Sequence, residues 1–398
     1  MSDTISLCHD SYFQYVIKRM YVGGGDLMVD VFAVADVIVK HIKTHYPQDV
    51  AIVGYYGSYL QGRATERSDL DFFFIPATPR GKQVELQFII DGISFDFWPI
   101  GWDRAERMSA SEDWSTTIIA DCELLYVRSD EDLAKFMKLR ETISSMGEPS
   151  NTLTLINRAE VVVRDCFTSL IKLRFAGDSM DLSFCRILAQ EIAATIFKSL
   201  ALLNQTYYTR SWGHYREQVN NLPIKPDQLD LYLDTMMFSH SKDEIKTACE
   251  KLTVDTLHLI SERRNKLKGL RSYHNWMKGY YEEEKGMLNK LLTACEKGHY
   301  ETAFFVATGL QDGLARILYA AETGRWPAIF DLGEYREYYH RFSYPDLTAL
   351  LDPEDFEPLR IAVLQLIEQL ENHLRTEGVS LNQFDSVADF ESFYVSRI

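Results

Sequence analysis

The chain has no window of about 18 uninterrupted apolar residues, the length a membrane-spanning helix requires, and Met1 to Asp10 hold no basic segment followed by an apolar one. These absences argue against a membrane span and a secretory leader, and a cytoplasmic protein is expected. Cysteine is sparse and scattered: Cys8, Cys122, Cys166, Cys185, Cys249 and Cys295 form no CxxC pair. Each sits in an apolar context, so buried reduced thiols are expected instead of a zinc site or a disulfide framework. The 10 histidines are not read as metal ligands, although His41 and His45 stand at HxxxH spacing. Basic residues are few, Lys+Arg 42 against Asp+Glu 58, for a net charge of −16. Phosphate backbones are bound through clustered Lys and Arg, so no nucleic acid is expected as main substrate, whereas an acidic cleft favours a cationic acceptor. Gly23-Gly24-Gly25 has neither a preceding strand nor a Gly-Lys-Ser/Thr ending, which makes it a flexible turn and not a phosphate cradle. No repeat of fixed period and no low-complexity tract occurs.

What is present centres on the stretch from Val50 to Pro76. An apolar run, Val50 to Tyr56, ends in Gly57-Ser58; a polar turn follows, and a second run from Leu70 to Ile75 carries Asp69 and Asp71 at its start. The pattern is strand, turn, strand, with Ser58 placed to cap a short helix after Gly57. Side chains two apart on a strand share a face, so Asp69 and Asp71 are expected to project together. Two carboxylates side by side in apolar sequence are costly unless a cation sits between them, and a divalent metal answers that cost. Val84 to Ile90 and Ile93 to Trp98 read as two more strands joined by Asp91-Gly92, a strong hairpin signal. The second arm carries Asp96 among aromatic and β-branched residues, as an edge-strand charge or as a third ligand reaching back to the pair.

Gly57-Ser58, then Ser68-Asp69-Leu70-Asp71, then an isolated aspartate on a later strand, resembles the nucleotidyltransferase fold superfamily, in the small-molecule branch typified by kanamycin, lincosamide and aminoglycoside nucleotidyltransferases. The resemblance implies an α+β protein: an N-terminal mixed-sheet catalytic domain followed by one or more all-helical bundles. It implies in-line attack of an acceptor hydroxyl on the α-phosphorus of a nucleoside triphosphate, ATP first among them, with pyrophosphate leaving. Asp69 and Asp71 would hold two Mg²⁺ ions, and Asp96 would touch the ion nearer the acceptor and take its proton. Ser58, with the backbone N–H groups after Gly57, would hold the β- and γ-phosphates, and Ser68 would add a phosphate contact. Arg63 and Arg67 are read as solvent-exposed before they are read as phosphate ligands.

Along the rest of the chain, a short helix is expected at 4–20 and an amphipathic helix at 27–45, stopped by Pro47. A helical turn at 102–110, a strand at 122–127 and a linker helix at 130–145 complete a small α/β domain, and Gly147-Glu148-Pro149-Ser150 marks its boundary. Helices are then expected at about 153–175, 183–204, 227–238, 242–267, 276–297, 300–322 and 355–376, several ended by a capping glycine (Gly177, Gly298, Gly324, Gly378). This divides the chain into 1–148, a catalytic domain; 149–272, a helical substrate-binding domain; and 273–398, an additional helical bundle.

The segment Ala201 to Thr209, with its Tyr208-Thr209 pair, resembles the C-terminal helical domain of kanamycin nucleotidyltransferase. That family carries a carboxylate four residues before a phosphate-binding lysine on the preceding helix. Lys172 falls on the lysine position, but Thr168 stands where the carboxylate should be; Asp165, one turn earlier, is the nearest acid, so the general base is either Asp165 or Asp96. Glu191 is read as the polar face of an amphipathic helix. Lys290 to Ala303 is similar to the helical hairpin of HEPN-type bundles, but Arg336 and His340 are too close for the ribonuclease members, so 273–398 is read as a structural or substrate-shaping bundle. Trp326, Tyr335, Tyr338 and Tyr339 are assigned to loop packing over ligand stacking. The expected partner is a small molecule bearing a hydroxyl, such as an aminoglycoside or lincosamide, with a homodimer left open. A protein-modifying or second-messenger transferase, and a non-catalytic nucleotide-sensing module, are the alternatives.

Overall fold

The computed structural model describes residues 29–113, 115–175, 181–210, 212–267, 269–331 and 333–396. The expected helix at 4–20, the glycine turn at 23–25, Cys8 and Gly177 lie outside them. The chain divides into two compact units: Met1–Thr152 with Gln205–Asn221, and Leu153–Asn204 with Leu222–Ile398.

Unit 1 is built on a mixed sheet of five strands, β1 (Val50–Tyr56), β2 (Asp71–Pro76), β3 (Leu86–Ile90), β4 (Ile93–Pro99) and β5 (Glu123–Val127), in the order β3-β4-β2-β1-β5. The central strands β1 and β2 are near-continuous apolar runs buried on both faces, whereas β4 alternates between buried and exposed side chains. At the Asp91-Gly92 turn both residues take positive φ, 49° and 79°, the backbone hand that matches the twist of two strands joined by a two-residue loop. The hairpin register follows from it: Ile90 faces Ile93, Phe88 faces Phe95 and Gln87 faces Asp96. The returning arm β4 lies parallel to β2, with Phe72 opposite Phe97.

Helix α1 (Val31–His45) is capped by Asp30, whose carboxylate accepts from the Phe32 and Ala33 N–H groups at 3.1 Å. It buries Val31, Ala35 and Ile42 in one cluster with Val53, Tyr55, Phe72, Phe74, Phe95 and Phe97. Strand side chains alternate, so the neighbours Tyr56, Asp71, Asp96 and Trp98 lie on the opposite face. Helices α2 (Trp102–Ser109), α3 (Thr116–Ala120) and α4 (Asp130–Ser144) complete this part, with α4 packed against β1 and β5. Ser129 caps α4 by accepting from the Asp132 N–H at 3.2 Å.

Unit 2 is helical. α5 (Thr152–Arg164) and α6 (Cys166–Phe175) replace the single helix expected at 153–175; the chain breaks at Asp165, whose N–H reaches Val162 O at 3.0 Å, a bond one residue shorter than the helical repeat. α7 (Leu182–Leu203) follows. The segment 215–220 forms α8 (Tyr215–Asn220), which belongs to unit 1. Unit 2 resumes with α9 (Leu229–Phe238), α10 (Lys242–Lys266), α11 (Tyr273–Met277), α12 (Tyr280–Lys297), α13 (Tyr300–Thr323), α14 (Arg336–Arg341), α15 (Glu357–Thr376) and α16 (Val387–Val395). The expected helix at 276–297 is thus two, separated at Lys278-Gly279. Gly298, Gly324 and Gly378 stand in the left-handed region at or next to helix ends, as their capping role requires. Tyr281, Leu291, Leu318, Tyr339 and Val363 are at most 1% exposed and form the centre of one core cluster. Cys122, Cys166, Cys185, Cys249 and Cys295 are buried free thiols, and burial pushes the Cys122 thiol up to about 11. Among the described residues no helix is long and apolar enough to cross a membrane.

One buried ion pair ties distant parts of unit 2. Glu160 on α5, 2% exposed, receives Arg264 Nη1 from α10 at 2.9 Å, and its other oxygen accepts the Phe330 N–H at 2.9 Å. Arg264 Nη2 also donates to Trp326 O at 3.2 Å. Removing one partner strands the other charge. Glu160→Ala should therefore lower unfolding stability in urea by about 3–5 kcal/mol, while Glu262→Ala, on the exposed side of the same helix, changes it by under about 0.5 kcal/mol.

Candidate active site

The loop between β1 and β2 is a run of turns. Backbone bonds from Gln61 N to Gly57 O (3.2 Å), Gly62 N to Tyr59 O (3.2 Å) and Arg63 N to Ser58 O (2.9 Å) hold it, so Ser58 begins a turn and not the expected short helix. Ser68 closes a smaller loop, where its hydroxyl accepts the Thr65 N–H at 2.9 Å. Arg63 and Arg67 are exposed, and Arg63 Nη1 lies 3.4 Å from His214 Nδ1.

Gly57 has φ +89°, and a Cβ built on it would stand 1.9 Å from Asp71 Oδ2. Any side chain here would occupy the space of the Asp71 carboxylate, which is the physical reason for a glycine before Ser58. Asp71 opens β2 opposite Tyr56 and, through the parallel register that sets Phe72 beside Phe97, stands level with Asp96 on β4. Asp69 lies just before the strand; it reaches the cluster from the approach to β2 and not by strand alternation.

The three carboxylates feel one another. Burial, then Asp69 and Asp96, pushes Asp71 up to about 6. Burial first, with Asp96 also contributing, raises Asp69 above the usual carboxylate range. Burial, Asp71, Asp96 and Asp69 together raise the Tyr56 hydroxyl, which also takes a side-chain hydrogen bond from Trp98. The exposed Asp96 is held from β3, where Gln87 Nε2 donates to its Oδ1 at 2.8 Å. Among the described residues no three His, Cys, Asp or Glu side chains stand at the spacing of an assembled metal centre. The donor set is nonetheless of the kind a hard divalent cation takes, three acidic carboxylates whose mutual repulsion and partial burial a cation would relieve.

Tyr56, Gln87 and Trp98 were not picked out from sequence. Gln87 was within reach, since counting back equally on both arms of the Asp91-Gly92 turn sets it against Asp96. The segment 205–221 also joins this unit: Gln61 Nε2 donates to Thr209 O at 2.7 Å, and Tyr207 Oη donates to Asp121 Oδ1 at 3.0 Å. Tyr208-Thr209, read above with the helical domain, thus stands beside the turn that follows Gly57. Asp165 and Lys172 belong to unit 2 and are exposed there, as is Glu191, which accepts from the Ser169 hydroxyl at 2.8 Å.

Two outcomes follow from this geometry. Because the folded pKa of Asp71 lies above its unfolded value, its proton stabilises the native state at low pH and that contribution is lost as pH rises through about 6. In metal-free protein Asp71→Asn should raise thermal stability at pH 8 by roughly 1–3 kcal/mol and leave it unchanged at pH 4. Gly57→Ala, combining positive φ with a clash on Asp71, should cost at least about 2 kcal/mol in denaturant melts, whereas Gly62→Ala, with open space around it, costs about 1 kcal/mol from φ alone.

Residues 134–266 match the family described as KNTase C-terminal domain. A crystal structure of a nucleotidyltransferase-like protein from Exiguobacterium sibiricum 255-15 is similar over 57% of this chain and 75% of its own, at 10% sequence identity and a TM-score of 0.34. No curated protein matches the sequence. The similarity to that family therefore covers residues 134–266, about a third of the chain.

Proposed function

We propose that the protein is a Mg²⁺-dependent transferase that moves a nucleoside monophosphate, AMP from ATP, onto a hydroxyl of a small molecule such as an aminoglycoside or lincosamide. The observation that carries this reading is the electrostatic cluster of Asp69, Asp71 and Asp96 beside the Gly57-Ser58 turn. The match to the KNTase C-terminal domain supports the substrate class.

In this reading Asp69 and Asp71 hold the metal ions, and Asp96 completes the set. When bound, Mg²⁺ neutralises charge on the triphosphate and on the attacking and leaving oxygens. The chain's own residues do the rest. The turn after Gly57 turns backbone N–H groups and the Ser58 hydroxyl toward the β- and γ-phosphates. The Asp96 carboxylate takes the proton of the acceptor hydroxyl on Oδ2, the oxygen that Gln87 does not hold. Gln87 is therefore a positioning residue that keeps Asp96 on the face shared with Asp71. Tyr56, raised by burial and by the three acids, remains protonated at neutral pH, a neutral hydroxyl on the face that carries Asp71. The net charge of −16 favours a cationic acceptor over a polyanion.

Purified protein with Mg-ATP and a panel of aminoglycosides and lincosamides should release pyrophosphate. Asp69→Asn should reduce the rate at least about 1,000-fold with an unchanged circular dichroism spectrum. Turnover retained in Asp69→Asn overturns the metal assignment, and pyrophosphate release with nucleotide label on protein instead of antibiotic overturns the acceptor class.

A further inference from the structure

We propose that unit 2 carries a binding site of its own, for a small phosphorylated ligand, in a cavity of about 300 Å³ bounded by α13, α14 and the loop at Thr348. The site is independent of the transferase reading. Its volume is at the low end of small-ligand pockets, room for a phosphate and a short carbon skeleton.

The argument is an account of which polar groups are already spent. One carboxylate, Asp312, lines the cavity and a second, Asp346, holds two of its lining residues from behind, and both are saturated from within the unit. Asp312 receives Arg316 Nε at 2.7 Å and the Tyr335 hydroxyl. The Arg316 guanidinium lies over the Tyr335 ring at 4.3 Å, which fixes that pair in place. Asp346, behind the wall, receives Gln311 Nε2 at 2.9 Å, the Thr348 hydroxyl at 2.8 Å and the Ala349 N–H at 3.2 Å. Their surroundings hold both carboxylates below the usual range, and Arg336 and His340 contribute to that at a distance, without a hydrogen bond.

Arg336 and His340 are what remains. They are one turn apart on α14, so both side chains lie on the face that lines the cavity, and both are exposed. Among the described residues neither makes a side-chain hydrogen bond or a salt bridge; His340 has only a ring contact with Tyr339, centroids 6.0 Å apart. The five N–H donors of a guanidinium, in a fixed fork beside an imidazole donor, match the oxygens of a tetrahedral phosphate, whereas a carboxylate is satisfied by the fork alone. Gln311 and Thr348 cannot compete for the ligand, because each is held by the other: Thr348 N donates to Gln311 Oε1 at 3.1 Å. In a chain of net charge −16, a cavity whose unspent donors among the described residues are basic favours an anion.

The test uses the full-length chain with inorganic phosphate and glycerol 3-phosphate as probes, by calorimetry and by proton NMR of the His340 ring, assigned through His340→Gln. Wild type should bind at least one probe and shift the His340 resonance. The exposed double change Arg336→Gln with His340→Gln should weaken that binding at least about tenfold with an unaltered melting curve, and Arg336→Lys should restore part of it. A double variant that binds as tightly as wild type, or a His340 resonance unmoved at saturation, overturns the site. Binding of succinate in preference to both phosphates overturns the ligand class.

Discussion

The parallel pairing of β2 with β4 is the constraint on which the candidate site depends. In a parallel pair, residues at the same level point to the same side, so setting Phe72 beside Phe97 commits Asp71 and Asp96 to one face and the phenylalanines to the other. The aromatic face supplies the stabilisation. Phe72, Phe74, Phe95 and Phe97 are at most 2% exposed, and each contributes on the order of 2–3 kcal/mol by burial. That side holds the strands in register against the repulsion that builds on the other. A slip of one residue would exchange the faces, bringing carboxylates into the α1 core. Core packing and site geometry are therefore one decision.

This decision was partly legible in the chain. The apolar run from Leu70 to Ile75 and the alternation of Ile93-Ser94-Phe95-Asp96-Phe97 mark strands, and Asp91-Gly92 sets the hairpin register, because few other dipeptides take positive φ twice. What local pattern cannot contain is the order of strands in the sheet. That β4 and not β3 lies against β2 is a non-local pairing, and with it goes the meeting of Asp71 with Asp96. Asp69 shows the limit at short range: its spacing from Asp71 suggests a shared strand, but the strand begins at Asp71, and the irregular segment before it sets the direction of Asp69.

The helical half was legible in its helices and less so in their ends. Capping glycines and apolar stripes locate α12, α13 and α15 to within a few residues, since 3.6-residue periodicity over five or six turns is a strong signal. The break at Asp165 left no such mark: α5 and α6 have continuous apolar spacing, and only packing separates them. Short helices such as α14, with a single turn of pattern, do not rise above loop sequence, and with α14 went the chance of seeing Arg336 and His340 on one face.

The membership of Gln205–Asn221 in unit 1 has a bearing on how the protein can be taken apart. The polypeptide passes from one unit to the other three times, so no single cut yields the sheet unit whole. A fragment ending near Gly147 would keep all five strands and lose the backbone carbonyl that receives Gln61, the imidazole beside Arg63 and the phenol on Asp121. The turn after Gly57 would then stand without its neighbour, and an isolated sheet unit would be a poor proxy for that turn as the intact chain holds it.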